Sequence, residues 1–281
     1  MKRIDIIKLN FTRNWKLPGK ERLANLLQPS DLARTSINNG IVWLTGEDIA
    51  IYTSGNNYIE HTILSTGTYE DEINKLIRIS LREGGNAVDV GGNIGLQSLR
   101  MSQCVGTTGR VLAFEPLKYL QEKFNRNMAL NKAANVTLIP FALSDKNGEA
   151  DFAIDTNAWN QGAFSLGSKN AHGEKQQVII KAGDELPEVS QLTSLELIKI
   201  DVEGFEYNVL QGLAATIEKH KPRIIFEYDD NYWLRTGQKI SDCYAFLKSL
   251  DYDIYQITAV GCELLSDPLS VTGGNLFCIP A

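Results

Sequence analysis

The chain has 281 residues, 43% of them hydrophobic and 22% charged, and a formal net charge of −6. That size and balance predict an ordinary packed globule, as one large domain or one domain with a small lobe. The acid excess, with no basic run, argues against a nucleic-acid footprint, so nucleic acid is not an expected partner.

The basic start Met1-Lys2-Arg3 precedes an apolar stretch broken by Asp5 and Lys8. That pattern does not match a signal peptide, and no run is long enough to span a bilayer. Residues 1–65 read as a small N-terminal mixed α+β lobe. Helical spacing covers 21–27, and two short strands, 40–44 and 48–52, flank the turn Thr45-Gly46-Glu47. Residues 66–281 read as the main domain. It opens on residues 68–81, with Ile73, Leu76, Ile77 and Leu81 at helix spacing. Thr68 is placed to cap that helix, Glu70, Asp71 and Glu72 favour its first turn, and Gly84-Gly85 end it.

Strands and helices then alternate. Strands are expected over 87–90, 111–114, 136–141, 195–200 and 223–226, and helices over 94–102, 117–130, 206–219 and 241–250. The alternation predicts an α/β fold with a parallel sheet covered on both faces. Residues 144–193 interrupt it with a hairpin pairing 150–154 and 177–181 about the polar segment from Trp159 to His172. Residues 252–257 and 275–279 read as a closing antiparallel pair around Gly261.

The run Asp89-Val90-Gly91-Gly92-Asn93-Ile94-Gly95 lies between the first of these strands and its helix. Glycines let the backbone turn sharply and approach a ligand, and a helix N-terminus offers free N–H groups. The dinucleotide fingerprint needs glycines at the first, third and sixth positions, and neither register supplies them. No Lys-Ser or Lys-Thr follows, so the phosphate-loop pattern fails as well. An acid followed by Gly91, Asn93 and Gly95 at alternate positions resembles the first motif of S-adenosylmethionine (SAM) methyltransferases. Asn stands in the middle glycine slot, a mild change because Asn tolerates left-handed backbone angles. Taken alone, the turn fits a plain structural role equally well.

Val111-Leu112-Ala113-Phe114-Glu115-Pro116 adds a buried-strand pattern ending in a carboxylate and a helix-starting proline. Glu115 follows Gly95 by about 20 residues, the spacing of an acid that accepts hydrogen bonds from ribose hydroxyls. The plainer reading is a carboxylate near the start of the next helix. Four cysteines (104, 243, 262 and 278) form no C-x-x-C pair, and the histidines at 61, 172 and 220 have no metal spacing. No metal site is expected, and free buried thiols suit a cytoplasmic protein.

A-V-D-V-G-G-N-I-G, V-L-A-F-E-P, F-A-L-S-D-K-N-G and L-I-K-I-D-V-E-G-F-E occur in that order. Together they resemble the FkbM family of SAM-dependent methyltransferases, over about residues 69–227, and the closing N-L-F-C-I-P is also similar. Ala182-Gly183-Asp184 departs from the family's threonine-leucine-aspartate run. The resemblance implies a seven-stranded class I methyltransferase (Rossmann-like) sheet with SAM at the carboxyl ends of the strands. It implies that Asp89, Gly91, Asn93 and Gly95 surround the methionine part. Glu115 would hold the ribose, Pro116 would shape the turn, and Phe141, Ala142 and Leu143 would lie along the adenine. Phe141 and Leu143 fit plain core positions equally well.

The family also implies a small-molecule acceptor, a hydroxyl of a saccharide or secondary metabolite. An N-methyltransferase acting on an amine or protein and a non-catalytic SAM-binding module are the alternatives. The oligomeric state is left open, a homo-oligomer included. A hydroxyl acceptor needs a base for its proton, and Asp201, Glu203 and Glu227 are the candidates. Strand alternation sends Lys199 and Asp201 to one face. The competing reading pairs Lys199 with Asp201 and uses Glu203 to cap the next helix. A magnesium variant would use Asp201, Asp230 and Asn231, although Glu227 holds the strand end such a ligand needs. Tyr228, Tyr232 and Trp233 read as an acceptor wall or as aromatic core. Trp159, Phe164 and His172 read as a lid.

Overall fold

A computed structural model describes residues 3–16, 19–27, 40–53, 57–154, 174–258 and 260–281. The expected lid residues Trp159, Phe164 and His172 lie outside the described residues. The chain forms strands β1 (Gly40–Trp43), β2 (Ala50–Thr53), β3 (Asn86–Val90), β4 (Arg110–Phe114), β5 (Val136–Ile139), β6 (Ala142–Ser144) and β7 (Gly148–Ile154). It continues with β8 (Glu174–Ala182), β9 (Leu197–Ile200), β10 (Arg223–Asp229), β11 (Tyr252–Thr258), β12 (Gly261–Leu264) and β13 (Gly273–Pro280).

The main sheet runs β12-β11-β13-β10-β9-β3-β4-β5. Strands β5, β4, β3, β9 and β10 are parallel, whereas β13, β11 and β12 add in antiparallel fashion. The parallel centre is buried and, Asp89 and Lys199 aside, mostly apolar because helices cover both faces: all four residues of β9 are buried, the Lys199 side chain included. The sheet has eight strands where the resemblance implies seven. The eighth, β12, extends the β11 edge as a hairpin, with Tyr255 opposite Leu264, and its residues are exposed. Cys262 on it is exposed too, unlike the buried Cys243 and Cys278. Strands β6, β8 and β7 make a separate small sheet in which Ala150 faces Val178, the hairpin the sequence suggested.

The chain passes from β3 out to β4 and β5, then returns to β9 on the other side of β3. That reversal opens a crevice at the carboxyl ends of β3 and β9, where open α/β sheets bind ligands.

Several boundaries differ from expectation for identifiable reasons. Helix Asp71–Ser80 buries Ile73, Leu76 and Ile77, but its N-cap is Glu70, not Thr68, whose hydroxyl instead donates to the Asp71 carboxylate. It stops before Gly84-Gly85 because buried Leu81 turns extended to join the core. The expected helix over 206–219 is two, Glu206–Gly212 and Ala214–His220. Gly212 lies so close to β6 that a Cβ there would sit 1.9 Å from the Ser144 carbonyl oxygen. The chain kinks at Leu213, whose side chain is buried.

Residues ahead of β3 pack on the same core. Leu9, Val42, Ile49, Ile51 and Ile63 share a cluster with Ile94, Leu99 and Phe124. The Asn127 and Asn131 amides accept from the Tyr52 and Ala50 N–H groups at 2.8 and 2.9 Å, satisfying edge groups of β2. Helices Arg3–Arg13, Tyr58–Thr66 and Asp230–Thr236 had no counterpart in the sequence reading. No helix is long and apolar enough to cross a membrane among the described residues.

Candidate functional site

At the carboxyl ends of β3, β4, β9 and β10 lies a cavity of about 310 Å³. A narrower space of about 40 Å³ shares Ile59, Tyr69, Glu70, Gly91, Asn93 and Asp201 with it. The glycine turn forms one wall. Gly91 has φ +85°, and a Cβ there would sit 2.0 Å from the Asp201 backbone oxygen, so only glycine fits against β9. Asn93 takes the left-handed conformation at φ +48°. The Gly91 and Gly92 N–H groups both donate to Phe114 O, at 3.0 and 2.9 Å, which folds the turn onto the end of β4. Gly95 lines neither space. It caps helix Leu96–Val105, and its missing Cβ admits Met128 and Phe124.

Glu115 is buried and lines the large cavity. Its two oxygens accept the Asn93 and Leu117 N–H groups, each at 2.9 Å. One carboxylate thus ties the glycine turn to the following helix and keeps acceptor capacity on both oxygens. Burial raises Glu115, the two N–H groups oppose it, and the result is about 7. Pro116, Phe141, Ala142 and Leu143 line the same end of the cavity with Leu117 and Phe152. Leu143 is also part of the main core, so both readings of that residue hold.

Asp89 lines only the narrow space. Its Oδ2 accepts the Ser98 hydroxyl at 2.5 Å. The buried Oδ1 has no partner among the described residues. Lys199 donates to Asp201 Oδ2 at 2.9 Å, so the anticipated ion pair is present. Burial alone would lower Lys199, but Asp201, Asp89 and Glu70 outweigh it and raise the ammonium above its usual range.

Asp201, Glu203, Glu227 and Asp229 line the other end of the large cavity with Tyr232. Glu203 does not cap the next helix. Nor does Glu206, the first residue of that helix, which accepts the Val202 and Gly204 N–H groups of the preceding loop at 3.0 Å each; the N-cap is Phe205. Glu203, at φ +57°, is instead bonded by the Tyr232 hydroxyl. Burial, then the neighbouring Asp201 charge, pushes Glu203 up to about 8 and Glu227 up to about 9. Of the proposed aromatic wall only Tyr232 reaches the cavity; Tyr228 and Trp233 belong to the core. Asp230 receives the Tyr228 hydroxyl, and neither it nor Asn231 lines the cavity. No group of three or more His, Cys, Asp or Glu is placed to hold a metal ion among the described residues. His61 is buried on helix Tyr58–Thr66 and lines neither space.

Sequence reasoning missed Tyr58, Tyr69 and Glu70 as cavity residues, and Glu206 as the loop's anchor. Glu70 was one of three consecutive acids and read as helix-dipole complement; nothing in that run singles it out. Glu206 reads as an acid favoured in the first turn of a helix, which does not foretell its bonds back to the loop N–H groups of Val202 and Gly204.

The residues present fit SAM. An orphaned buried carboxylate oxygen and an excess of carboxylates over cations suit a ligand carrying a sulfonium and an ammonium. The wall of Leu117, Phe141, Ala142 and Leu143 suits a purine.

The family model described as "Methyltransferase FkbM domain" matches residues 89–254. The chain is 30% identical over 151 residues to "Hexuronic acid methyltransferase AglP" of Haloferax volcanii, covering 53% of this chain and 58% of that protein. It is 29% identical over 145 residues to "Methyltransferase 1" of Beauveria bassiana, covering 45% and 57%. It thus spans somewhat under three-fifths of the length of these curated relatives. A crystal structure of "Methyltransferase FkbM" from Methylobacillus flagellatus KT aligns at 15% identity with a TM-score of 0.43, covering 73% of this chain and 50% of that one.

Proposed function

The chain belongs to the FkbM methyltransferase family, and from that premise we propose that it transfers the methyl group of SAM to a hydroxyl of an uncharged saccharide or secondary metabolite. One observation carries the reading: a single cavity joins the backbone-held Glu115 at one end to the clustered carboxylates Asp201, Glu203 and Glu227 at the other. When bound, SAM supplies an electrophilic methyl carbon on a cationic sulfur, and the protein supplies alignment and electrostatics.

In this reading Glu115 accepts from the ribose hydroxyls, with Phe141, Ala142 and Pro116 beside the base. Gly91 and Asn93 leave room for the methionine end, and Gly95 sets the helix that follows. Glu227 takes the acceptor proton. Burial and the neighbouring carboxylates favour its protonated form, and a nearby positive charge lowers it toward the working range of a general base. Asp201, fixed by Lys199, and Glu203, fixed by Tyr232, shape the field around it.

The acceptor's charge follows from the lining. No Lys, Arg or His lines the large cavity among the described residues, whereas six carboxylates do: Glu70, Glu115, Asp201, Glu203, Glu227 and Asp229. An acceptor carrying a carboxylate, such as the hexuronic acid for which one relative is named, would find no cationic partner in that lining and would make ionising its carboxyl groups costlier still. The same carboxylates favour a second reading, an amine acceptor entering as an ammonium. A panel of a neutral sugar, its uronate and an amine, incubated with SAM and resolved by mass spectrometry, separates them. Methylation of the neutral sugar supports the proposal, methylation of the amine supports the second reading, and preference for the uronate overturns both. Wild-type protein that binds neither SAM nor S-adenosylhomocysteine by calorimetry overturns the cofactor assignment.

A further inference from the structure

Glu70 precedes the matched family segment and carries a conformation that helix formation alone does not explain. It is the N-cap of helix Asp71–Ser80 at φ 51°, yet its side chain makes no capping bond. A left-handed backbone is unfavourable for a residue with a side chain and persists only where its surroundings enforce it. Here the enforcement is visible. Arg100 is buried, and its Nη1 donates to Tyr69 O at 2.8 Å and to Gln97 Oε1 at 3.3 Å. Its other nitrogens are gripped by Glu47 at 2.6 and 2.9 Å. Gln97 Nε2 in turn donates to Glu70 Oε2 at 2.7 Å. A buried guanidinium thus holds the backbone at Tyr69 and the Gln97 amide, and that amide holds the Glu70 carboxylate against the narrow space.

That space needs such a group if it takes the methionine tail. An ammonium carries three donors and no acceptor, so it calls for several carboxylate oxygens. Asp201 Oδ2 is taken by Lys199, whose ammonium lies in the same lining and offsets that carboxylate, and Asp89 offers only Oδ1, its other oxygen being taken by Ser98. Glu70 is the remaining carboxylate lining this space. We propose that Glu70 and Asp89 together receive the α-ammonium of the cofactor's methionine tail, with Gln97 and Arg100 as positioning residues for Glu70. The inference rests on the SAM reading above and adds a binding residue to it from outside the matched segment.

The test compares two ligands on the full chain by calorimetry: S-adenosylhomocysteine, which has the amino-acid tail, and 5′-methylthioadenosine, which lacks it. Glu70→Gln keeps size and polarity and removes the charge. It is expected to weaken S-adenosylhomocysteine about tenfold or more and 5′-methylthioadenosine by less than about twofold, because a charge-assisted hydrogen bond is lost only with the first ligand. Glu72→Gln, the same change on an exposed neighbour of that helix, is expected to alter neither. Gln97→Ala loosens Glu70 without removing it and is expected to give a smaller loss with the same ligand selectivity, which keeps the idea testable if Glu70→Gln does not fold. Equal losses on both ligands, or no loss on either, overturn the proposal while the SAM reading stands. Wild-type protein that binds neither ligand overturns both.

Discussion

Glu115 and Glu227 stand at the same rim of the sheet's parallel part, beyond β4 and near the end of β10, Glu115 buried and Glu227 half-buried. Their surroundings differ. Glu115 has two backbone N–H donors fixed upon it, and they hold it to about 7 against burial. For Glu227, burial is reinforced by Asp201, Glu203 and Glu70, with only Lys199 opposing, and it rises to about 9. A carboxylate that binds is prepared by donors that favour its charged form. A carboxylate that exchanges protons is prepared by neighbours that make the charge costly. The division between a nucleoside end and an acceptor end is written in those two environments.

The strongest way to break this contrast is Glu227→Gln. If Glu227 takes the acceptor proton, kcat falls by about 10²–10⁴-fold, the usual worth of a positioned base. The dissociation constant for S-adenosylhomocysteine, read by calorimetry, stays within a few-fold. In the wild type, kcat rises with pH as the carboxyl loses its proton, and in the variant that rise disappears. A variant with normal turnover and an unchanged pH profile would return the role to Asp201 or Glu203.

The complementary change is Glu115→Ala. It removes the acceptor for ribose and orphans the Asn93 and Leu117 N–H groups, so S-adenosylhomocysteine binding should weaken by about ten- to a hundredfold, from loss of one or two hydrogen bonds to a charged group. Glu115→Gln, which keeps one acceptor oxygen, should fall between. Calorimetry decides it: unchanged affinity in both variants would make Glu115 a purely structural tie between turn and helix.

How much of this was readable beforehand follows the same division. The glycine turn and Glu115 were legible because backbone geometry and strand–turn–helix spacing are local properties of the chain. The parallel centre was legible from its mostly apolar runs, broken in the two central strands by Asp89 and Lys199. The acceptor end was less so: Glu203 and Glu206 are three residues apart, yet Glu206 ties down the loop N–H groups ahead of its helix while Glu203 meets Tyr232 from another element. Glu70 was hidden altogether, because its place is set by Arg100 and Gln97, some 30 and 27 positions away. The break at Gly212 depends in the same way on the approach of Ser144. Tertiary contacts of that kind leave no periodic trace.

The smallest effect tests the energetic side of the contrast. Glu115, Glu203, Glu206 and Glu227 are all raised above the ordinary carboxylate value of 4.5, to about 7, 8, 7 and 9. Between 4.5 and those values the folded chain holds protons that the unfolded chain has released. Stability therefore declines as pH rises through that window, the opposite of a salt-bridged carboxylate. The ligand-free protein should melt at progressively lower temperature from about pH 5 to pH 9. Glu227→Gln, which cannot ionise, should flatten that decline across the whole window from about pH 5 to 9, most distinctly between about pH 7 and 9 where Glu115 and Glu206 no longer contribute, by a few degrees at most for a chain of this size. Glu115→Gln should act mainly below about pH 7. Because a cation between the carboxylates favours their charged forms, saturating SAM should flatten the wild-type slope as well. Melting curves with the same slope in wild type and Glu227→Gln would show that the crowding at the acceptor end is relieved by solvent, and that the two strand ends differ less than their geometry indicates.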